Sequence, residues 1–423
     1  MPSSTLDILV NGALVGRLSS NGGAPAFAYE DSYRSSDDPT PLSLSLPLHR
    51  RAHTGSIVSH WLENLLPEDD RARRRIAQKF GERSTAPLVL LAHIGHDLAG
   101  AVQILPTGVD PSDDGDLIPW EKEKIAERIR LLHEDAASVS PESELGRWSL
   151  AGQQGKFALA KVGDQWMEPT GRTASTHIFK VGISGLTDSD LAEYATMRAA
   201  EALGLNTAHT RIERFDEEIA VVVERYDRRV LGGEIVRIHQ EDFCQALGVG
   251  PTDKYQSDGG PGIASIAEVL ADTSRPHEDL ERLARWHAFQ MVAACPDGHA
   301  KNLSMLLSGR AAILAPAYDL ISGVFLLDGA AIRHKAKIAM KFGGEYRFGA
   351  IAETHILRAG GECRVDPERM LEIVGEQIAD MEEAFAPALD DVASIRPRTA
   401  ARMREAVARR AADLARRFGT PGR

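Results

Sequence analysis

The stretch Cys295–Ser304 reads Cys-Pro-Asp-Gly-His-Ala-Lys-Asn-Leu-Ser, and it places a carboxylate, Asp297, five residues before a carboxamide, Asn302. An apolar run from Ala311 to Leu314 follows and predicts a short strand. A second carboxylate, Asp319, comes soon after that run. A carboxylate that accepts a hydroxyl proton, followed by an amide and a carboxylate that bind Mg²⁺, is the set of groups that phosphoryl transfer uses. The spacing therefore predicts a phosphoryl-transfer site.

Two other interpretations of this stretch stay open. Polar loops with Asp, His and Asn are common surface turns. Asp297, His299 and Asp319 are also the residue types of a hydrolytic site for Zn, Mn or Fe. Lys301 and Asn302 favour phosphoryl transfer, because Asn is a poor ligand for transition metals and an adjacent Lys would stabilise a transferring phosphoryl group.

Composition limits the class of protein. The chain has 423 residues, and its 49 Lys and Arg against 61 Asp and Glu give a net charge of −12. This length predicts two or three domains. An acidic chain needs a basic partner to bind nucleic acid, because affinity for phosphates comes mainly from Lys and Arg. The cysteines Cys244, Cys295 and Cys363 form neither a disulfide framework nor a zinc pattern. With no signal peptide or membrane span in the sequence, we expect a cytoplasmic protein.

Domain boundaries follow from changes in pattern. Alternating apolar residues and the hairpin signal Asn11-Gly12 predict a small sheet over residues 6 to 50, including the alternating segment Leu42 to Leu48. The segment from Pro106 to Asp116 has the composition of a linker, and from Glu241 onward the pattern is helical. We therefore predict domains at residues 1–110, 111–230 and 231–423.

The middle of the chain carries a second set of candidate residues. A Gly-bearing polar loop ends at Lys156, ahead of an apolar strand, and such loops can cover nucleotide phosphates. It matches neither common phosphate-loop pattern, so an ordinary hairpin turn is the alternative. Lys180 lies in the next predicted strand, where a lysine can bind phosphates, and Glu193 on a predicted helix is its expected partner.

A buried strand, Ile219 to Val223, leads into Glu224-Arg225-Tyr226, where backbone groups match the edge of an adenine ring. The following residues, Asp227 to Arg229, are equally well predicted as a surface charge cluster. Trp286 and Phe289 lie in a predicted buried helix that leads to Asp297, and we expect them in the core. The last helix has an Arg-rich face, for which packing on its own domain is favoured over a DNA contact.

Together these segments resemble the HipA family of toxin serine/threonine kinases along nearly the whole chain. The residues that carry the resemblance are Leu44-Ser45-Leu46-Pro47-Leu48, Asn64-Leu65-Leu66-Pro67-Glu68, Ser149, Gly152, Gln154 and Lys156, Thr176-His177-Ile178 with Lys180, Glu224-Arg225-Tyr226-Asp227-Arg228, Lys254-Tyr255, Gly259-Gly260-Pro261-Gly262, Asp297-Gly298-His299-Ala300-Lys301-Asn302 and Tyr318-Asp319. The resemblance implies an α+β, protein-kinase-like two-lobed fold. In it, residues 1–110 would be a small β-rich amino-terminal domain, 111–230 the kinase N-lobe and 231–423 a mostly helical C-lobe.

The resemblance also implies residue roles for ATP- and Mg²⁺-dependent phosphorylation of protein Ser or Thr. Asp297 would be the general base, Asn302 and Asp319 the metal ligands, and Ser149 the position that is autophosphorylated in trans. The residues implied around ATP are Ala151, Gly152, Gln153, Gln154, Gly155, Lys156, Lys180, Glu224, Arg225, Tyr226, His299, Ala300, Lys301, Asn302, Tyr318 and Asp319. A phosphate on Ser149 would add negative charge beside the phosphate loop and eject it.

Partners are implied in the same way. Family members pair with a dimeric helix-turn-helix antitoxin of the HipB type, which brings operator DNA, and their targets include aminoacyl-tRNA synthetases. The alternative is a kinase-fold corepressor that acts mainly by binding the antitoxin. One departure from the family is Cys295-Pro296 where many relatives carry Gly-Asn, and Pro296 restricts the residue before it to extended geometry.

Overall fold

The computed structural model describes residues 5–21, 23–109, 115–135, 155–183, 185–232 and 234–419. The chain divides into two compact units. The first unit comprises Met1–Ser184, Arg211–Thr252 and Met305–Ala312, and the second comprises Gly185–Thr210, Asp253–Ser304 and Ile313–Arg423. This division differs from the three domains predicted above, whose boundaries stay a prediction.

An antiparallel sheet with strand order β4-β3-β2-β1-β5 opens the first unit. Its strands are β1 (Leu6–Val10), β2 (Ala13–Asn21), β3 (Ala24–Tyr29), β4 (Ala52–Thr54) and β5 (Val102–Pro106). The helices beside it are α1 (Asp31–Arg34), α2 (Ser56–Asn64), α3 (Asp70–Lys79) and α4 (Pro87–Ile94). Asn11 and Gly12 both have positive φ, as a type I′ turn requires, so the predicted hairpin is confirmed.

The strand predicted at Leu42 to Leu48 is wrong. Only an isolated bridge between Ser43 and Leu46 forms there. Pro41 and Pro47 have no N–H to give to a ladder. The N–H of Leu44 donates instead to a carboxylate oxygen of Glu241 at 2.8 Å. Alternation of apolar residues alone thus gave the wrong pairing for this segment.

A second sheet of the first unit has strand order β10-β11-β9-β7-β8-β6. Its strands are β6 (Leu117–Trp120), β7 (Lys156–Val162), β8 (Gln165–Pro169), β9 (His177–Lys180), β10 (Thr210–Phe215) and β11 (Glu218–Glu224), and α5 (Lys122–Glu134) packs beside them. Phe157 and Phe179 stack with ring centroids 4.7 Å apart, and Trp166 meets Phe179 edge-on at 4.8 Å. These rings fix the register of the neighbouring strands β7 and β9.

Shorter strands and one short helix lie wholly or partly in the remaining segments of the first unit. They are β12 (Arg228–Leu231), β13 (Glu234–Arg237), β14 (His239–Asp242), α7 (Phe243–Ala246), β15 (Ser304–Ser308) and β16 (Ala311–Leu314). The strand predicted at Ala311 to Leu314 is therefore confirmed as β16.

The second unit is mostly helical. Its helices are α6 (Ser189–Ala202), α8 (Ile263–Leu270), α9 (Pro276–Val292), α10 (Gly323–Leu326), α11 (Gly329–His334), α12 (Glu353–Glu362), α13 (Pro367–Ala379), α14 (Met381–Ile395) and α15 (Pro397–Phe418). A small ladder of β17 (Lys337–Phe342) and β18 (Glu345–Arg347) accompanies them. Trp286 and Phe289 of α9 are buried, which confirms them as core residues. In the described residues, no helix is long and apolar enough to cross a membrane.

Candidate active site

The end of helix α9 sets the position of the loop that carries Asp297. Cys295 N–H donates to Gln290 C=O at 2.8 Å, and Ala294 N–H donates to Met291 C=O at 3.2 Å. With Ala294 at φ 51°, this is a Schellman ending in which alanine replaces the usual glycine, at a cost of about 1 kcal/mol. Pro296 then prevents the helix from continuing. The Cys-Pro pair thus belongs to a well-formed helix end.

The remaining carbonyl groups at this end of α9 also have donors. Arg410 of α15, which is buried, donates to Met291 C=O at 2.7 Å and to Val292 C=O at 3.1 Å. The hydroxyl of Ser322 donates to Ala293 C=O at 2.5 Å. A cation at a helix C-terminus also interacts favourably with the helix dipole. The start of the loop is therefore held by several independent contacts.

The loop itself folds around the backbone of Asp297. The amide nitrogen of Asn302 donates to Asp297 C=O at 2.8 Å, and His299 N–H donates to the same oxygen at 2.9 Å. A 3₁₀ turn, Ala300–Asn302, follows. Asn302 is buried, whereas the side chain of Asp297 is 56% exposed. The two polar side chains of the sequence motif are thus joined in one short loop, with the carboxylate accessible to a substrate.

Tyr318 connects this loop to Asp319, the second carboxylate of the motif. Its hydroxyl group contacts Ser304 Oγ at 2.7 Å and donates to Lys301 C=O at 2.6 Å. The next residue, Asp319, has φ 57°, the left-handed conformation that Asp tolerates better than most residues. Lys301 is buried with the loop. The phenol therefore fixes the backbone of Lys301 relative to that of Asp319.

His299 is buried beside the carboxylate. Burial is the main reason that its pKa falls from 6.5 to about 3, and the cations Lys254 and Lys301 lower it further, while Asp319 opposes them. The ring is therefore neutral near pH 7. Its Nε2 lies 3.8 Å from Asp297 Oδ1, which is a contact of a neutral ring and not an ion pair.

The donor groups of this loop fit Mg²⁺. Because the nitrogen of the Asn302 amide is bound to Asp297 C=O, the amide presents its oxygen as the ligand atom. An amide oxygen with the carboxylate of Asp319 suits a hard cation such as Mg²⁺. The hydrolytic alternative needs three ligands from Asp297, His299 and Asp319. Across the described ranges, no group of three or more His, Cys, Asp or Glu side chains is arranged to hold a metal ion.

The first unit brings the two candidate phosphate-binding lysines together. Lys156 of β7 and Lys180 of β9 are direct register partners, so their side chains leave the same face of the sheet. Lys180 is buried. Two cations directly opposite each other repel, so this arrangement is stable only where negative charge lies nearby.

The interpretation of Asp227 to Arg229, which follow β11, as a surface charge cluster is wrong for two of the three residues. Asp227 and Arg228 are buried, and only Arg229 of that group is exposed. Arg225 donates to Asp227 through Nε at 3.0 Å and Nη2 at 2.8 Å, and Arg228 donates to Asp97 Oδ1 at 2.8 Å. We call Asp97, Arg225, Asp227, Arg228 and Arg237 the buried ionic cluster.

The guanidinium of Arg225 is occupied by Asp97, Ser175 and Asp227. Its backbone N–H donates to Thr176 C=O at 2.9 Å, and its C=O accepts from Arg228 N–H at 3.1 Å. The neighbouring Tyr226 donates its hydroxyl to Gln240. Glu224 is exposed. Adenine binding by Glu224 to Tyr226 stays a prediction.

Several predicted residues lie outside the described part of the chain. They are Ser149, Ala151, Gly152, Gln153 and Gln154. Gly155 is described, and its C=O accepts from Val181 N–H at 3.2 Å. Lys180 belongs to the first unit and Glu193 to the second, so their pairing stays a prediction.

Three contacts of the loop and of the helix end before it were missed from the sequence. Tyr255 donates its hydroxyl to Asp297 Oδ1. The side chain of Gln290 packs against Gly298, where an added Cβ would lie 2.5 Å from Gln290 Oε1. Arg410 caps α9 from more than 100 residues away. The pair Lys254-Tyr255 was visible in the sequence, but no local pattern links it to Asp297.

The fold is α+β and kinase-like. Among solved structures, the chain is similar to HipA in the complex "HipA, HipB and its operator DNA" of Shewanella oneidensis, with a TM-score of 0.82 and 25% identity over 98% of both chains.

Family models match both parts of the chain. Residues 6–105 match the HipA N-terminal domain, and residues 148–385 match the HipA-like C-terminal domain. The serine/threonine-protein kinase toxin HipA of Shewanella oneidensis is 31% identical over 75% of each chain. The putative kinase Y4mE of Sinorhizobium fredii is 35% identical over 81% of this chain and 82% of its own length. The chain belongs to the HipA family.

Proposed function

We propose that this chain is the toxin kinase of a type II toxin-antitoxin module, and that it transfers the γ-phosphoryl group of ATP to Ser or Thr of a protein. The observation that carries this proposal is the loop in which Asn302 binds the backbone of Asp297 while the carboxylate of Asp297 stays accessible. The names of the relatives, which include a serine/threonine-protein kinase toxin, support the same activity.

In the proposed mechanism, Asp297 accepts the proton of the substrate hydroxyl as its oxygen bonds to the γ-phosphorus. Asn302 and Asp319 supply oxygen ligands for Mg²⁺, which when bound neutralises phosphate charge. Lys156 and Lys180 offset further negative charge on the nucleotide. Positioning and electrostatics then account for most of the rate, as in other phosphoryl transfers.

The direct test is incorporation of labelled phosphate from γ-labelled ATP with Mg²⁺ into dephosphorylated casein and into the chain itself. We expect Asp297→Asn to lower the rate by about 100-fold or more, since general-base groups contribute this much. Asp258→Asn is the matched control, because Asp258 is an exposed acid of the same unit. Equal rates for wild type and Asp297→Asn would reject the mechanism.

Regulation and partners are part of the proposal. Ser149 is proposed as the autophosphorylated residue, and mass spectrometry of wild type and Ser149→Ala would locate the phosphate. A HipB-type antitoxin dimer is proposed to bring operator DNA, since a chain with net charge −12 is a poor DNA ligand by itself. An aminoacyl-tRNA synthetase is the proposed target, to be sought by phosphosite mapping in a cell lysate incubated with the protein.

A second candidate is a corepressor that needs no catalysis. The acidic charge of the chain also favours this function, because it requires an antitoxin for DNA binding. Growth inhibition by induced wild type and by Asp297→Asn separates the two. The kinase proposal expects inhibition by wild type alone, and the corepressor expects no difference.

A further inference from the structure

Tyr255 contacts the carboxylate of Asp297, although 42 residues separate them in sequence. Its phenol O–H donates to Asp297 Oδ1. A hydrogen bond from a neutral donor to a carboxylate is stronger than one between neutral groups. The same oxygen lies near the His299 ring, but that ring is neutral and 3.8 Å away. Tyr255 is therefore the closer donor to this oxygen.

The backbone of Tyr255 is fixed. Its C=O accepts from Asp258 N–H at 3.0 Å and from Gly260 N–H at 3.0 Å. The next residue, Gln256, accepts from Lys341 N–H of β17 at 2.7 Å. A side chain at Gly260 would lie 1.8 Å from Asp253 C=O, so the turn closes only with glycine there. The backbone that carries the phenol is thus held by several hydrogen bonds within the second unit.

The ring of Tyr255 is also held at its faces and edges. His299 meets it edge-on, with ring centroids 4.9 Å apart. Lys254 Nζ lies 5.5 Å from the ring centroid, within reach of a cation–π interaction. Lys254 C=O accepts from Ala300 N–H at 3.3 Å, which ties this segment directly to the loop of Asp297. Tyr255 is thus held through both its ring and its neighbouring backbone.

We propose that Tyr255 is a positioning residue that holds the Asp297 carboxylate through Oδ1, so that Oδ2 receives the substrate proton. This inference rests on the kinase function proposed above. In the step, the substrate oxygen bonds to the γ-phosphorus, the bond from phosphorus to the ADP oxygen breaks, and the hydroxyl proton moves to Oδ2. The phenol keeps its own proton throughout. Without the phenol, the carboxylate rotates among orientations of which few are productive.

The test is Tyr255→Phe, which keeps the ring against His299 and removes only the hydroxyl group. We expect kcat with γ-labelled ATP and casein to fall about 10-fold or more, because misplaced catalytic groups lose at least this much. The KM for ATP and the melting temperature should stay unchanged. Tyr346→Phe is the matched control, since Tyr346 lies under a lysine in the same way, with Lys341 Nζ at 5.3 Å from its ring.

A mutant cycle with Asp297→Asn distinguishes positioning from other roles. If the phenol acts through Asp297, Tyr255→Phe should not lower the residual rate of Asp297→Asn any further. An additional loss in that background would contradict the proposal. A Tyr255→Phe enzyme with wild-type or higher kcat would also contradict the proposal, because the hydroxyl group would then contribute nothing or would hinder Asp297. A wild-type rate in Asp297→Asn itself would instead reject the kinase mechanism.

Discussion

Arg410 near the end of the chain donates its guanidinium to the main-chain carbonyl of Met291, 119 residues earlier. Burial lowers the pKa of Arg410 to about 10, so it is still a cation at pH 7. The contact lies six residues before Asp297. The last helix therefore contributes directly to the position of the candidate general base.

We predict that Arg410→Met lowers the free energy of unfolding by about 2 kcal/mol or more, because Val292 C=O loses its Arg410 donor and Met291 C=O keeps only the N–H of Ala294. Urea unfolding measures this change. Arg409→Met is the control, since Arg409 is exposed and pairs only with Glu405 at the helix surface in the described contacts. We expect its effect to be within about 0.5 kcal/mol. Similar losses in the two variants would show that the cap is unimportant.

Gly298→Ala should lower kcat, because the new Cβ would lie 2.5 Å from Gln290 Oε1 and 3.1 Å from Trp286 Cη2. Gln290 is buried, so the loop of Asp297 is the part that would shift. The double variant Gly298→Ala with Gln290→Ala removes the side chain that the new Cβ would meet, so it should recover part of kcat. Gly361→Ala in α12 is the control, because nothing lies within 4 Å of an added Cβ there. A Gly298→Ala enzyme with wild-type kcat would contradict this packing.

Asp97→Asn should destabilise the protein by about 3–5 kcal/mol at pH 7, because it leaves the guanidinium groups of the cluster with Asp227 as their one remaining carboxylate there. Burial alone would raise the pKa of Asp97, but Arg225, Arg228 and Arg237 hold it well below its usual range. The stabilisation is thus present above the unfolded pKa of 3.8 and is lost as the pH falls toward the folded value. Urea unfolding at several pH values should show the gap to wild type narrowing below about pH 4.

The control for this variant is Asp31→Asn, an exposed acid whose side chain is 66% accessible. It should change stability little at any pH. If Asp97→Asn had an equally small effect, the charges of the buried ionic cluster would not stabilise the protein.

For Glu241 we predict the opposite dependence of stability on pH. Burial raises its pKa to about 8, although Ser43 and Leu44 donate to the carboxylate and oppose the shift. Between the unfolded pKa of 4.5 and about 8, the unfolded chain has lost this proton and the folded chain has kept it. Stability from this group therefore falls by up to about 1.4 kcal/mol per pH unit as the pH rises through that range.

Melting temperatures of wild type and Glu241→Gln from pH 5 to pH 9 measure the effect. His239 is buried nearby with a pKa lowered to about 4, so its own contribution increases from about pH 4 to 6.5 and is common to both proteins. The variant should lose stability less steeply than wild type above pH 6.5. Parallel curves would mean that Glu241 is ionised in the folded protein.

Local patterns predicted much of the fold and the loop. The spacing of Asp297 and Asn302 is itself a local structure, since one side chain binds the backbone of the other. Asn11-Gly12 likewise forms its turn from two residues. Leu42 to Leu48 failed because its partner is Glu241, nearly 200 residues away, and alternation carries no information about such contacts.

The same limit explains the residues that were missed. Tyr255 and Gln290 contact the loop only in the tertiary fold, and Arg410 contacts the helix end before it in the same way. Asp227 and Arg228 look like exposed charges in sequence because Asp97, the second carboxylate that binds Arg225 and Arg228, lies about 130 residues before them. A charged residue is assigned to the surface by default, and only its partner reverses that expectation.

The buried ionic cluster also means that the region recognised as an amino-terminal domain is not an independent module. Asp97 lies within it, whereas Arg225, Arg228 and Arg237 belong to the following region of the same compact unit. A fragment that begins after residue 105 would enclose three arginines with Asp227 as their remaining carboxylate in the cluster. Expressing the carboxy-terminal region alone should accordingly yield aggregated protein, and evolutionary exchange of the amino-terminal part would require a carboxylate at the position of Asp97.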